Sequence, residues 1–294
     1  MRRIHFDLDV LRTFVAGVEL NSFAKAADRL GRSTSAVSAQ LKKLEDQVGT
    51  PVLRRQGRGM ALTETGETML AYARRLLELN DEAATALHGA ELEGWVRLGL
   101  QEDFGESLLA DVLGRFARAH PKVRIEARIA RNRELLERID TGKLDLAVAW
   151  DANYNTPHQE RIAELPMRWI GPASGVFDWQ PGEPVPLVSL DAPCLMRTAA
   201  ITALDRAGIP WRIAFTSASL AGTWAAVAAG LGIALRTEAG LPGMVSPMTH
   251  TALPQLPQLG LFLHRLTVEP SPAVARLDDI LRQALAPLAH AVRT

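Results

Sequence analysis

A single cysteine, two tyrosines and no surplus of either charge are the first things this sequence shows by default. With Cys194 alone, no disulfide framework and no cysteine-based zinc or iron–sulfur site can be assembled. Basic and acidic residues number 33 each, so the overall balance argues neither for nor against a polyanionic partner. The opening residues, MRRIHFDLDV, carry two arginines with no apolar stretch behind them, so no secretory leader is expected. The one long uncharged run, Ile213 to Leu235, has 23 residues, which is spanning length. It holds Thr216, Ser217, Ser219, Thr223 and three glycines, and suits a soluble core better than a bilayer. These absences fit a cytoplasmic, water-soluble chain with no membrane partner. At 294 residues and 47% hydrophobic it is long enough for two or three domains with cores of their own.

Signatures of catalysis and cofactor binding are missing too. There is no Walker loop, no G-x-S-x-G elbow and no G-x-G-x-x-G; Gly230-Leu231-Gly232 lacks the third glycine. The seven histidines never fall four apart and form no H-E-x-x-H. Ser22-Phe23-Ala24-Lys25 matches the S-x-x-K of serine β-lactamases, but the companion motifs are absent and Ser22 has a capping role to fill. No catalytic residue, metal or cofactor is expected. Cys194 follows Pro193 where a helix begins, a place that can acidify a thiol, yet a redox sensor would lack its resolving partner. A structural cysteine is the reading.

What is there is a local concentration of charge. Ser22 to Met60 holds eight basic residues (Lys25, Arg29, Arg32, Lys42, Lys43, Arg54, Arg55, Arg58) against three acidic, a local +5. Ala61 to Glu93 holds two arginines against seven acids, a local −5. A basic block beside an acidic one points to a small anion-binding module joined to something else. Within the block, Leu8, Leu11, Phe14, Val15 and Val18 recur at helical spacing behind Asp7. Ser22 then opens a second helix with Phe23, Ala26, Ala27 and Leu30 on one face, and Gly31 stands where a helix ends. Thr34 or Ser33 can cap a third, with Val37, Leu41 and Leu44 inward. Two short helices around a tight glycine turn, the second polar and basic outside, form a helix-turn-helix pattern. Val52 to Arg55 and Met60 to Thr63, around Gln56-Gly57-Arg58-Gly59, read as a β-wing.

The stretch from Leu11 to Gly66 resembles the winged helix-turn-helix of LysR-type transcriptional regulators. Ser22-Phe23-Ala24-Lys25-Ala26-Ala27, Ala36-Val37-Ser38-Ala39-Gln40-Leu41, Leu44-Glu45, Gly49-Thr50-Pro51, Arg55 and Leu62-Thr63-Glu64-Thr65-Gly66 carry the likeness in order. Thr34 stands where the family most often has glutamine, and Ala39 where it often has glutamine or arginine, so no operator sequence carries over. The resemblance implies double-stranded promoter DNA as partner, with Ser33, Thr34, Ser35 and Ser38 near bases or phosphates. Lys42, Arg55 and Arg58 are the expected backbone contacts, and Arg32 is a further expected DNA-binding residue.

From Gly66 to Glu91 one helical pattern runs unbroken, Leu70, Ala73, Leu77, Asn80, Ala84 and Leu87 at alternating spacing, with Met69, Leu76 and Ala83 widening the stripe. Thr63 or Thr65 can cap it. The stripe fits either a surface helix packed on its own chain or a long helix pairing with a copy of itself. The family resemblance implies the second, a homodimer through a linker helix, with tetramers and contact with RNA polymerase left open.

Beyond Trp95, apolar strands alternate with helices. Strands are expected at Val96–Leu100, Val123–Ala130, Leu144–Trp150, Arg161–Gly171, Pro186–Leu190, Trp211–Ser217 and Gly232–Arg236. Helices are expected at Phe104–Arg118, Arg133–Thr141, Leu195–Ala207 and Leu220–Ala229. That order gives open, mostly parallel α/β sheets. Ser271-Pro272 opens a last helix. The region resembles the LysR effector domain, two subdomains similar to type 2 periplasmic binding proteins, through Gly94 to Gly99, Leu113-x-x-Phe116, His120-Pro121-x-Val123, Gly142-x-Leu144-Asp145-Leu146-Ala147 and Ala228 to Leu235. The expected fold is therefore α/β with an N-terminal winged helix-turn-helix (1–62), a linker helix (63–92) and an effector domain (93–294). Subdomain I would be 94–163 with 268–294, subdomain II 164–267, and two crossing strands the hinge. A solute receptor fits the C-terminal part but not the basic front module, and an enzyme with an accessory helix-turn-helix lacks catalytic residues.

A small-molecule effector is expected in the cleft, just past the C-terminal ends of strands. Gln101, Glu102, Asp103 and Phe104 follow the first strand, Arg131 the second, Trp150 the third, and Ser217 and Ser219 the sixth. Helix N-termini there favour anions, but Glu102 and Asp103 have only Arg131 as a nearby cation; either one of the acids, Asp103 above all, simply caps its helix, or at least one faces the cleft and disfavours a dianion. An aromatic or neutral-polar ligand near Trp150 and Phe104 is expected instead. Effector identity, regulon and the sign of regulation are not legible.

Overall fold

A computed structural model describes residues 4–56, 59–88, 92–105, 108–151, 154–174 and 177–290. The chain forms two compact units, one through residue 90 and one from 91 onward.

The first unit begins with α1 (Leu8–Glu19), α2 (Phe23–Arg29) and α3 (Thr34–Val48), followed by β1 (Leu53–Gln56), β2 (Gly59–Leu62) and α4 (Glu64–His88). The caps explain the breaks. Asp7, Ser22 and Ser33 each accept a backbone N–H at the start of their helix. Gly31 takes φ +62° between α2 and α3, a conformation that a side chain disfavours. Of the two candidates for α4, Thr63 is the cap, its Oγ1 accepting from Gly66 N at 3.0 Å. β1 and β2 pair antiparallel with Arg55 opposite Met60, which makes the wing; Arg58, at its tip, lies outside the described residues.

The core of this unit joins Val10, Leu11 and Phe14 of α1 to Leu44 of α3, Val52, and Met69, Leu70, Ala73 and Leu77 of α4. That corrects the reading of the α4 stripe. Leu70, Ala73 and Leu77 are buried in their own chain, so over this part the helix follows the packed-on-itself alternative. The large apolar side chains it exposes, among the described residues, are Tyr72, Leu76 and Leu79, spaced four and three apart on another face. The side chain of Leu87 lies outside the described residues.

The second unit runs β3 (Gly94–Leu100), α5 (Glu102–Gly105), α6 (Leu109–Ala119), β4 (Val123–Ile129), α7 (Asn132–Asp140), β5 (Leu146–Trp150), β6 (His158–Pro166) and β7 (Arg168–Pro172). It continues with β8 (Val185–Leu190), α8 (Leu195–Arg206), β9 (Trp211–Ser217), α9 (Leu220–Ala228), β10 (Ala234–Arg236), β11 (Val245–Met248), β12 (Gln258–Arg265) and α10 (Pro272–His290). One sheet has the order β4-β3-β5-β12-β6, parallel over its first three strands and antiparallel where β12 meets β5 and β6. A second, β10-β7-β11, is antiparallel, and β8 and β9 pair in parallel beside it, joined through a Leu187–Ile233 bridge.

Three expectations change here. The strand read over Arg161–Gly171 breaks at Met167 into β6 and β7, which belong to different sheets. The helix read over Phe104–Arg118 is two helices, α5 and α6. The mostly parallel arrangement holds for β3, β4, β5, β8 and β9, while the crossing strands run antiparallel. The chain passes from the five-stranded sheet to the three-stranded one at Met167 and returns before β12, where Met167 N donates to Pro257 O at 3.2 Å. Among the described residues, no helix is long and apolar enough to cross a membrane.

Candidate functional site

Each unit presents one candidate site. In the first, α3 turns Val37 and Leu44 inward and leaves Thr34, Ser35, Ser38, Ala39 and Lys42 exposed. Ser33 Oγ accepts from Ala36 N at 3.2 Å and lies 2.9 Å from Ser35 Oγ, so Ser33 is a cap as well as a surface hydroxyl. Ser38 Oγ donates to Thr34 O at 2.9 Å. The neighbouring cations divide into two sets. Arg32 bonds Asp9 at 2.8 Å, and Lys43 bonds Asp7 at 2.9 Å, holding that carboxyl below its ordinary range. Lys42, Arg54 and Arg55 are exposed and make no ion pair among the described residues. Arg32, expected among the DNA-binding residues, here bonds Asp9 of α1.

Sequence reasoning gave Glu45 no role. Its carboxylate accepts from Val52 N at 3.0 Å, tying α3 to the start of the wing. The available signal was a glutamate one turn before Gly49-Thr50-Pro51, where the chain leaves the helix and its N–H groups need acceptors.

In the second unit, the ends of β3, β4, β5, β8, β9 and β10 converge, and the polar residues there are largely bonded to each other. Asn132 receives Gln101 Nε2 on its Oδ1, accepts from Trp150 N at 3.0 Å, and donates to Trp150 O at 2.6 Å. Gln101 is therefore a framework residue. Asp103 is 3% exposed; its Oδ2 accepts from Trp150 Nε1 at 3.1 Å and its Oδ1 faces Arg236 Nη1 at 3.5 Å. Gly240, at φ +68°, lets the following loop press against α5; a Cβ there would stand 1.9 Å from Asp103 O. Glu102 reaches across to accept from Leu220 N at 2.9 Å, at the start of α9. Arg131 bonds the Asp191 carboxylate, and donates to the carbonyls of Asp191 at 3.2 Å and Ala218 at 3.3 Å. Ser217 Oγ accepts from Ser219 N at 3.1 Å, and Ser219 Oγ caps α9.

This geometry revises the expected chemistry. The rings of Phe104 and Trp150 are buried with centroids 5.1 Å apart, so neither offers a face on which an aromatic ligand could stack. Glu102 and Asp103 do not stand unopposed, because Arg236 is a second cation at the site. Arg236 and Asp191 were missed although both sit at strand ends, where the rule that nominated Arg131 applies equally. An open groove of about 390 Å³ runs beside Glu102 and Arg131, lined also by Ile129, Glu134, Glu137 and Pro193 among others.

Residues 8–67 match the family described as bacterial regulatory helix-turn-helix protein, lysR family, and residues 89–286 match the LysR substrate binding domain. The chain is 38% identical over 263 residues to the HTH-type transcriptional regulator PecT of Dickeya dadantii (strain 3937), covering 89% of this chain and 82% of PecT. It is 35% identical over 284 residues to the HTH-type transcriptional regulator DgdR of Burkholderia cepacia, covering 95% and 94%. Its fold is shared with the crystal structure of HinK, a LysR family transcriptional regulator from Pseudomonas aeruginosa, at TM-score 0.55 and 21% identity over 97% of this chain and 100% of HinK.

Proposed function

The chain belongs to the LysR family of transcriptional regulators, and from that premise we propose that it reads promoter DNA with α3 and its wing, under control of a small effector. The observation that supports the DNA reading is the division of cations in the first unit. Arg32 and Lys43 are paired within the chain, while Lys42, Arg54 and Arg55 remain exposed, as do Thr34, Ser35 and Ser38. An α-helix fits the major groove, where hydroxyls meet base edges and cations meet phosphates. The working parts in this reading are 1–62 for DNA, 63–92 as linker and 93–294 for the effector, the last divided into 94–163 with 268–294 and 164–267. The protein would act in the bacterial cytoplasm, where promoter DNA and RNA polymerase are. Capture of genomic fragments by the purified chain, followed by mobility shift on those fragments, tests it. Retardation that unrelated DNA competes away equally would overturn sequence-specific reading.

Dimerisation belongs to the same proposal, through the face of α4 that its own unit leaves open. Tyr72 is 61% and Leu79 60% exposed, with Leu76 between them. Aspartate at both Tyr72 and Leu79 is expected to yield a monomer by sedimentation with the first unit still folded. Leu77→Ala, inside the core, is expected instead to cost about 2–5 kcal/mol of stability. A dimer that survives the double substitution would remove α4 from the assembly.

The effector reading also narrows. The groove beside the cleft has three acids, Glu102, Glu134 and Glu137, against Arg131 and Arg133. These charges are largely spoken for: Arg131 pairs with Asp191, Glu134 with Arg128 and Arg138, and Glu137 with Arg133. We infer a neutral polar effector rather than a dianion.

A further inference from the structure

The contacts across the cleft are of two kinds. Asp103 and Arg236 meet with side chains 1% and 5% exposed, a buried pin. Glu102 and Arg131 make the others and remain partly open to solvent, Arg131 at 30% and its partner Asp191 at 49%. Both line the groove of about 390 Å³, so a molecule entering it meets these two residues directly. Their targets are adjacent: Glu102 takes Leu220 N, and Arg131 takes Ala218 O. Together they grip the segment 217–220, whose Ser217 and Ser219 hydroxyls are already occupied by Ser219 N and Gly222 N.

Leu220 N has no acceptor within α9 and stands at its positive end, the kind of group to which a carboxylate binds. Here the chain supplies that carboxylate itself. We propose that Glu102 is a tethered ligand: with Arg131 it clasps subdomain II closed without an effector, and it bars free carboxylates from the α9 N-terminus. This rests on the effector-cleft reading above and deepens it. Glu102 thereby sets the ligand class, and an effector acts by prising the clasp from the groove rather than by bridging an open cleft.

Chemical rescue separates a tethered ligand from a simple packing residue. Full-length wild type, Glu102→Gln and Glu102→Ala are compared by thermal unfolding in sodium formate and in sodium chloride at equal ionic strength. Glu102→Ala is expected to unfold roughly 2–4 °C lower than wild type in chloride. Formate should restore part of that loss in Glu102→Ala and produce no formate-specific shift in the other two. An unchanged melting temperature in Glu102→Ala, a loss that formate does not reverse, or an equal formate effect on all three would each overturn the proposal. DNA retardation by the same samples keeps the two readings apart, since the clasp can fail while every variant still binds DNA.

Discussion

On α3 and β1, Lys42, Arg54 and Arg55 stand exposed with no ion pair among the described residues, whereas in the cleft of the second unit Arg131 and Arg236 are each paired within the chain. The difference follows from what each surface has to meet. A polyanion arrives from outside carrying its own charge, so cations aimed at it gain most when their chain leaves them free. A cleft between subdomains buries what it holds, and an uncompensated charge there would be costly. Removing a charge from the two places should therefore give different kinds of loss.

The largest effect is expected from Asp103→Ala. It leaves the Arg236 guanidinium, 5% exposed, facing a cavity, and takes away the acceptor of Trp150 Nε1. Breaking one side of a buried pair costs about 3–5 kcal/mol, read as a lower urea midpoint for the full chain. Replacing both residues by apolar ones of similar volume should recover much of that loss. A single variant as stable as wild type would mean that the pair does not pin the subdomains.

A pH dependence sharpens the same contrast. His264, 2% exposed on β12, has Nδ1 2.8 Å from Thr156 Oγ1, and burial pushes its pKa down to about 4. The unfolded chain then binds the proton more readily, between about 6.5 and 4. Stability from this residue is full above pH 6.5 and falls as pH drops towards 4, by up to about 3 kcal/mol. Unfolding midpoints across that window should slope for wild type and flatten for His264→Gln. An equal slope in both would assign the acid sensitivity to other groups.

The helix-turn-helix was legible because local rules determine it. Ser22 caps and Gly31 turns as read, Ser33 takes the cap that the sequence left open between it and Thr34, and the inward faces follow helical spacing. The α4 stripe was legible as a helix but not in its allegiance. Periodicity marks Leu70, Ala73 and Leu77 as needing burial without saying against what, and α1 is the answer. In the second unit, β11 and β12 escaped notice, and β6 and β7 merged into one, because strands that change sheets are distinguished by long-range pairing. Strand ends nominated residues that the fold brings together, but their partners lie far along the chain: Glu102 to Leu220, Asp103 to Arg236, Arg131 to Asp191. No local pattern signals such pairs. Trp150 looked like a ligand platform for the same reason, since its packing against Phe104 depends on how α5 folds back.

The smallest effect on stability, and the one that tests the exposed half of the comparison, belongs to Lys42→Ala and Arg55→Ala. Both side chains are exposed, so unfolding midpoints should stay within about 0.5 kcal/mol of wild type. DNA binding should change in a specific way. Every cation removed from a phosphate lowers the slope of log affinity against log salt by roughly 0.9, across specific and unrelated sequences alike. Arg32→Ala is the internal control, because its guanidinium is bound to Asp9 at 2.8 Å. That substitution should loosen the α1–α3 arrangement slightly and leave the salt slope nearly intact. A slope that falls by a full unit in Arg32→Ala, and not at all in Lys42→Ala or Arg55→Ala, would reverse the assignment of free and committed cations on this face.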